Sequence, residues 1–122
     1  MPMKKIIHVD NSEFFQKLTK TFLEGEKFEV ESFDDPQEAS LAIAGGLADM
    51  VIMGLTFAGV DGEEFAAKTI ESFSGPVIVL SSSVSKEKTE KLTGLGVRAV
   101  LGKSGPWKEE IKPFLASLGA GK

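Results

Sequence analysis

Short apolar runs alternate with longer segments of helical periodicity along most of the chain, and this alternation constrains the fold more than any other feature. Five segments of strand length cover 5–9, 28–32, 50–53, 76–80 and 97–101, and the second of them alternates between apolar and polar residues. The run from Met50 to Met53 is apolar at every position, which is typical of a strand covered on both faces. Strands that alternate with helices predict an α/β fold, in which a five-stranded parallel sheet carries five helices on its two faces.

Residues that favour helix starts follow each predicted strand. Asn11 or Ser12 can cap a first helix that runs to about Glu24. In the second helix, Asp35 supplies the cap and Pro36 takes the first helical position. The three later helices are predicted to start at Asp61-Gly62, at Ser83 or Ser85, and at Pro106 or Trp107.

The last two predicted helices carry signs of weakness. The fourth, at about 86–95, has a thin apolar stripe whose expected anchors are Val84, Leu92 and Leu95. We therefore expect it to be the least firmly held helix of the domain. The fifth contains Pro113, which should weaken or kink its first turns because proline cannot donate a backbone hydrogen bond.

The composition is that of an ordinary globular domain with a net charge of −4. We expect a single domain over 1–122, with an ordered core at about 4–118 and a frayed tail. Only one of the 14 basic residues is an arginine, and no basic stripe with interleaved aromatic residues is present, so nucleic-acid binding is not expected. No apolar run approaches membrane length and cysteine is absent, so we expect a cytoplasmic domain without membrane contact or disulfides.

Polar and small residues follow four of the predicted strands. Asp10 and Asn11 follow the first, Gly54 the third, Ser81 the fourth and Lys103 the fifth. In open parallel sheets, ligands bind beyond the carboxyl ends of the strands. We expect Lys103 to form a salt bridge with Asp10 at this edge. A glycine at a strand end commonly serves a bulge or a close approach of the backbone, and Gly54 could have that role.

This pattern resembles the receiver domain of response regulators, and the resemblance extends from about Lys4 to Leu118. It implies a flavodoxin-like, CheY-like fold with the strand order 2-1-3-4-5. In that family an acidic pair ends the first strand, a phosphate-accepting aspartate the third, a threonine or serine the fourth, and a lysine the fifth. The corresponding residues here are Asp10-Asn11, Gly54, Ser81 and Lys103, and the family's Asp-Gly pair after the phosphorylation loop is kept as Asp61-Gly62.

The resemblance also implies that the phosphorylation chemistry is lost. Glycine can neither attack phosphorus nor hold a metal ion. The family's Mg²⁺ ligands would correspond to Asn11, Gly54 and the carbonyl of Thr56, so two carboxylates are missing. Because Mg²⁺ favours carboxylates, we expect it to bind weakly or not at all, and we expect no other cofactor.

Two parts of the family's conformational switch have changed as well. Ser104 stands where the family usually has a proline after the lysine, so we predict a trans Lys103–Ser104 peptide bond. Val100 stands where the family has an aromatic switch residue, and valine cannot report a phosphorylated state by ring rotation. Together with Asn11 and Gly54, these changes identify the chain as a degenerate receiver, or pseudo-receiver.

Such a domain is expected to be a phosphorylation-independent module of a bacterial signalling system rather than an enzyme. It would bind a kinase, an output domain or an adaptor through its surface, as a monomer or a weak homodimer. One alternative is an atypical receiver that is still switched by phosphate or a small anion between Ser81 and Lys103. Another is a structural dimerisation domain.

Six residues are candidates for the interaction surface. They are Phe57 and Val60 in the loop after Gly54, Lys88 and Lys91 on the fourth helix, Val100 on the fifth strand, and Trp107 at the last helix. Aromatic residues are enriched in contact hot spots. The open alternative is that the loop residues and Trp107 pack over the pocket, and Phe57 could even fill it.

Weaker interpretations concern His8, Asp61 and the serines. His8 and Asp10 share a face of one strand, but a hydrolase triad with Ser81 lacks an oxyanion hole and is not expected. Phosphorylation could move to Asp61 or to a hydroxyl at 81–83, although Asp61 is better explained as a helix cap. The GxGxxA pattern at 94–99 ends a helix instead of opening one, so it does not indicate a dinucleotide site.

Overall fold

The computed structural model describes residues 3–118, so the predicted fraying of the tail at 119–122 lies outside the described residues. The main sheet is formed by five parallel strands: β1 (Lys5–Val9), β2 (Glu29–Phe33), β3 (Met50–Met53), β6 (Val77–Ser81) and β7 (Ala99–Gly102). Their order is β2-β1-β3-β6-β7, which confirms the predicted flavodoxin-like topology. Two further strands, β4 (Thr56–Phe57) and β5 (Val60–Asp61), form a separate antiparallel hairpin.

The helices between the strands are α1 (Glu13–Gly25), α2 (Pro36–Ala44), α3 (Gly62–Ser72) and α4 (Lys86–Leu95). The last predicted helix is divided at Ile111 into α5 (Trp107–Glu110) and α6 (Lys112–Ser117), as Pro113 led us to expect. No helix within residues 3–118 is both long enough and apolar enough to span a bilayer.

The predicted caps are present. The Ser12 hydroxyl accepts the Phe15 amide at 3.2 Å, and the Asp35 carboxylate accepts the Gln37 amide at 3.0 Å. Each cap satisfies an amide that has no partner within its helix, which fixes where the helix begins. The strand ends therefore stand at defined places on one edge of the sheet.

The core is divided by the sheet into two apolar layers. One layer holds α1, α5 and α6 against the sheet and contains Phe15, Leu23, Trp107 and Ile111. The other holds α2, α3 and α4, with residues such as Ile43 and Leu92 facing alternate positions of the same strands. This arrangement explains why the central strands are apolar at successive positions.

The hairpin after β3 was not predicted. Phe57 pairs with Val60 across a two-residue turn, in which Gly59 adopts a φ of +72° that L side chains rarely adopt. Strands of two residues carry no measurable period, so the segment looks like a loop in the sequence. The hairpin directs Phe57 inwards, where it contacts Phe65 edge-on at 5.8 Å between ring centroids.

Helix α4 has fewer buried anchors than predicted. Leu92 is fully buried, but Val84 and Leu95 are 45% and 42% exposed, so their prediction as anchors was wrong. Val84 precedes the cap of α4, Ser85, and Leu95 is the last residue of the helix, so both stand at its margins. A single buried side chain leaves little apolar area to hold this helix, in keeping with the prediction that it is weakly held.

Candidate functional site at the carboxyl edge of the sheet

A cavity of about 250 Å³ lies beyond the carboxyl ends of the central strands. All six residues predicted for the pocket line it, which are Asp10, Asn11, Gly54, Thr56, Ser81 and Lys103. Ser12, Leu55, Leu80 and Ser82 complete the lining and were not among the predicted residues. Their positions directly beside predicted site residues were the only signal that could have identified them.

Asp10 supplies the one buried carboxylate of this cavity. Its side chain is 1% exposed, and Oδ1 accepts the Ser12 amide at 2.8 Å. Oδ2 lies 2.8 Å from Nζ of Lys103, which confirms the predicted salt bridge. Across residues 3–118, no three histidine, aspartate or glutamate side chains converge as metal ligands. The negative charge of Asp10 is thus balanced within the chain.

Lys103 is held on two sides. Its ammonium lies 4.5 Å from the centroid of the Phe15 ring in addition to its contact with Asp10. Phe15 in turn packs against Trp107, with 5.5 Å between the ring centroids. No peptide bond in the described part of the chain is cis, so the predicted trans geometry of Lys103–Ser104 is confirmed. A lysine restrained by an ion pair and an aromatic face is poorly placed to reach a new ligand.

Gly54 is not required by the packing. Its amide donates to the Val9 carbonyl at 2.8 Å, as a strand residue would. A β-carbon built on it would lie 3.7 Å from both Asp10 Oδ2 and the Leu80 carbonyl oxygen, which is ordinary van der Waals contact. The suggestion that glycine serves a close approach of the backbone was therefore wrong. The surrounding atoms would accommodate a β-carbon at position 54, so the packing does not require glycine here.

Ser81 and His8 do not form a catalytic pair. The Ser81 hydroxyl donates to the Ser83 carbonyl at 3.0 Å and accepts the Ser83 amide at 3.2 Å, so it closes its own turn. His8 is fully buried, and its Nε2 lies 3.7 Å from Asp10 Oδ2, beyond hydrogen-bond distance. Burial lowers the pKa of His8 to about 4, assisted by the charge of Lys103 and opposed by that of Asp10. The geometry agrees with the rejection of a hydrolase triad.

Two residues predicted for the interaction surface are buried instead. Phe57 is 8% exposed and does not line the cavity, so it neither forms a contact surface nor fills the pocket. Trp107 is 4% exposed because Phe15 and Phe22 enclose its indole. Both predictions failed because the sequence did not reveal the aromatic partners, which come from distant parts of the chain.

The other four candidates are at least partly accessible. Val60, Lys88 and Val100 are half-buried, and Lys91 is exposed. The Lys91 ammonium lies 2.8 Å from a Glu63 carboxylate oxygen, and this hydrogen bond raises the pKa of Lys91. The most exposed large apolar residues of the described chain are Phe14, Leu41 and Leu47, at 76%, 76% and 63% exposure, and none of them was among the predicted contact residues.

Comparisons with known proteins agree with this architecture. Residues 6–112 match the model of the response regulator receiver domain. The regulatory protein VanRc of Enterococcus gallinarum is 28% identical over 96 residues, which are 79% of this chain and 41% of VanRc. The chain thus spans about two fifths of the length of that relative.

Two solved structures illustrate the likeness of the fold. The CheY-like receiver domain protein of Methanospirillum hungatei JF-1 has a TM-score of 0.86 at 20% identity, over 97% of this chain and 95% of that one. The BeF3-activated N-terminal receiver domain of Klebsiella pneumoniae RstA has a TM-score of 0.85 at 20% identity, over 94% and 98%. At such identities the likeness shows the fold alone. Receiver domains are signalling modules that interact with proteins of two-component pathways, and the match over residues 6–112 establishes that this chain belongs to the response regulator receiver domain family.

Proposed function

We propose that the chain is a pseudo-receiver that acts by protein–protein interaction without being phosphorylated and without catalysing a reaction. The observation that carries this proposal is the charge state of the pocket. The residue at the end of β3, Gly54, has no side chain, and the one buried carboxylate, Asp10, is already paired with Lys103 at 2.8 Å. The pocket therefore contains neither an acceptor at its centre nor an unbalanced negative charge.

The donor set does not fit Mg²⁺. This ion prefers octahedral oxygen ligands and is usually held through one or two carboxylates together with phosphate. Here Asn11 offers an amide, Gly54 offers no side-chain donor, and Asp10 would have to leave Lys103 and the Ser12 amide to become a ligand. We infer that Mg²⁺ binds this pocket weakly at best.

The other candidate acceptors are occupied by structural roles. Asp61 Oδ1 accepts the amides of Glu63 and Glu64 at 2.9 and 3.3 Å and so caps α3. Ser81 is engaged with Ser83 in its own turn. A phosphoryl group on Ser81 would replace the hydroxyl proton that is donated to the Ser83 carbonyl, and one on Asp61 Oδ2 would weaken Oδ1 as an acceptor at the start of α3, which disfavours transfer of the modification to either position.

The binding partner is expected to be a kinase, an output domain or an adaptor. With Phe57 and Trp107 buried, the accessible part of the predicted interaction surface consists of Val60 in the hairpin and of a larger patch on α4 and β7. Val84 and Leu95 expose apolar area there, and Lys88 and Lys91 supply charge. A helix held by the single buried residue Leu92 can adjust to a partner at low cost.

The proposal is tested by amide NMR spectra of the chain, recorded with increasing Mg²⁺ and then with acetyl phosphate. We expect the amides of Asp10, Ser81 and Lys103 to stay in place. The control is the double variant N11D/G54D, which places two further carboxylates in the pocket, where a β-carbon at position 54 would make only ordinary van der Waals contacts. Its amides should move in a saturable manner with Mg²⁺.

Two outcomes would favour the alternatives. Saturable shifts of Ser81 and Lys103 in the unmodified chain would show that the pocket binds a metal or an anion, and the pseudo-receiver proposal would be withdrawn. A mass that doubles within the working concentration range in sedimentation experiments would instead favour a dimerisation domain.

A further inference from the structure

A second cavity lies away from the strand ends. It has a volume of about 290 Å³ and separates the start of α2 from the β4–β5 hairpin and the start of α3. Its lining combines apolar groups from Pro36, Val60 and Phe65 with the polar side chains of Gln37, Ser40, Asp61, Glu64 and Lys68. A groove with an apolar floor and a charged rim is a common form of peptide-binding site.

An exposed leucine follows the groove-lining residues of α2 in the sequence. Gln37 and Ser40 of α2 line the groove, and Leu41 follows on the same helical stripe, four residues after Gln37. The Leu41 side chain is 76% exposed, although leucine is usually found in the core. Its position beside the groove supplies an apolar contact that nothing in the described chain covers.

The groove lies in the more acidic part of the chain. Between Lys27 and Lys86 the chain carries ten carboxylates and a single basic residue, Lys68. The rest of the chain carries eight acidic and 13 basic residues, so most of the negative charge is concentrated in the part that includes α2 and α3. Lys68 lies 3.4 Å from Glu64, but both side chains are more than 60% exposed, so this pair offers little resistance to a competing cation.

We propose that this groove docks a segment of a partner protein in which an apolar side chain is flanked by lysine or arginine residues. The apolar side chain would contact Leu41 and Val60, and the basic residues would face Asp61 and Glu64. A second copy of the chain fits less well, because lysines alternate with glutamates along α4, and one of the two adjacent lysines at the start of β1, Lys5, is already paired with a glutamate at 2.8 Å. The inference rests on the proposed function only in treating the domain as a protein-binding module.

The experiment uses the ¹⁵N-labelled chain and a synthetic peptide, Lys-Lys-Leu-Lys-Lys, followed by amide NMR at low salt. We expect saturable shifts at Gln37, Ser40, Val60 and Phe65, and we expect binding to weaken as salt is added. The same peptide with serine in place of its leucine should bind several-fold more weakly, because the apolar contact is lost.

Matched variants separate the groove from the general acidity of the surface. L41S should weaken peptide binding about threefold to tenfold, whereas L47S, which removes an exposed leucine beyond the end of α2, should change it by less than about twofold. E64Q should weaken binding about twofold or more, and E109Q, an equal change of charge on α5, should have less effect.

Three results would overturn the inference. The first is a set of amide shifts that spreads over all acidic parts of the chain, and the second is an equal effect of L41S and L47S on peptide binding. The third is a shift of the same α2 and α3 amides with protein concentration alone, which would assign the groove to a second copy. None of these results concerns Mg²⁺ or acetyl phosphate. The failure of this inference is therefore distinguishable from the failure of the proposed function.

Discussion

Replacing His8 by leucine should make the stability of the domain less sensitive to acid. His8 is fully buried on β1, and the charged groups that face it are Asp10, at 3.7 Å, and Lys103. Burial is the largest cause of its lowered pKa of about 4, against an ordinary value of 6.5. Leucine has a similar volume, carries no charge, and leaves the Asp10–Lys103 pair in place.

The sign and the size of the effect follow from proton linkage. Between pH 6.5 and about 4 the unfolded chain binds a proton at His8 that the folded chain excludes. The free energy of unfolding therefore falls as the pH falls through this window, and it stops falling below the folded pKa. The full window corresponds to roughly 3 kcal/mol, and the part between about pH 7 and about pH 5 to roughly 2 kcal/mol.

The assay is urea unfolding at about pH 7 and about pH 5, followed by the fluorescence of Trp107, which is buried in the folded domain. The unmodified chain should lose roughly 2 kcal/mol more than H8L between the two conditions. Both proteins carry the same carboxylates, so the difference between them isolates His8. Parallel losses in the two proteins would refute the reasoning, since they would mean that His8 is protonated in the folded state.

Two further predictions concern packing and charge. K103M should lower the free energy of unfolding in urea by about 3–5 kcal/mol, because it leaves the buried Asp10 carboxylate unpaired. D10N/K103M should recover much of that loss. A cost of K103M below about 1 kcal/mol would contradict the assignment of the pair. G62A should destabilise the domain by more than about 2 kcal/mol, since its β-carbon would lie 1.9 Å from the Leu55 carbonyl oxygen. G94A on α4, where a β-carbon would meet open space, should stabilise the domain by about 0.5–1 kcal/mol. Equal melting temperatures of the two variants would contradict both predictions.

Much of the fold was predictable because its local signals agree with each other. The cap at Asp35, the apolar run of β3 and the break near Pro113 all lie where the sequence indicated. Strand limits moved by one or two residues, as for β7, which begins at Ala99 instead of Val97. The pocket could also be predicted, because the carboxyl ends of parallel strands necessarily meet at one edge.

The surface was harder to predict because exposure depends on distant partners. Phe57 looked exposed because it follows the pocket loop, but the hairpin brings it onto Phe65. Trp107 looked like a contact residue at a helix start, and Phe15 of α1 encloses it. Leu41 was not singled out from the sequence, and only the packing of α2 shows that it faces outwards.

The central claim is that the pocket no longer accepts a phosphoryl group, and intact-mass measurement tests it most directly. The chain and N11D/G54D would be incubated side by side with Mg²⁺ and acetyl phosphate, and the mass of each would be recorded before the acyl phosphate hydrolyses. We predict that the unmodified chain keeps its mass and that the double variant gains one phosphoryl group. A phosphoryl adduct on the unmodified chain would contradict the account, because another residue would then have taken over the role of the missing aspartate.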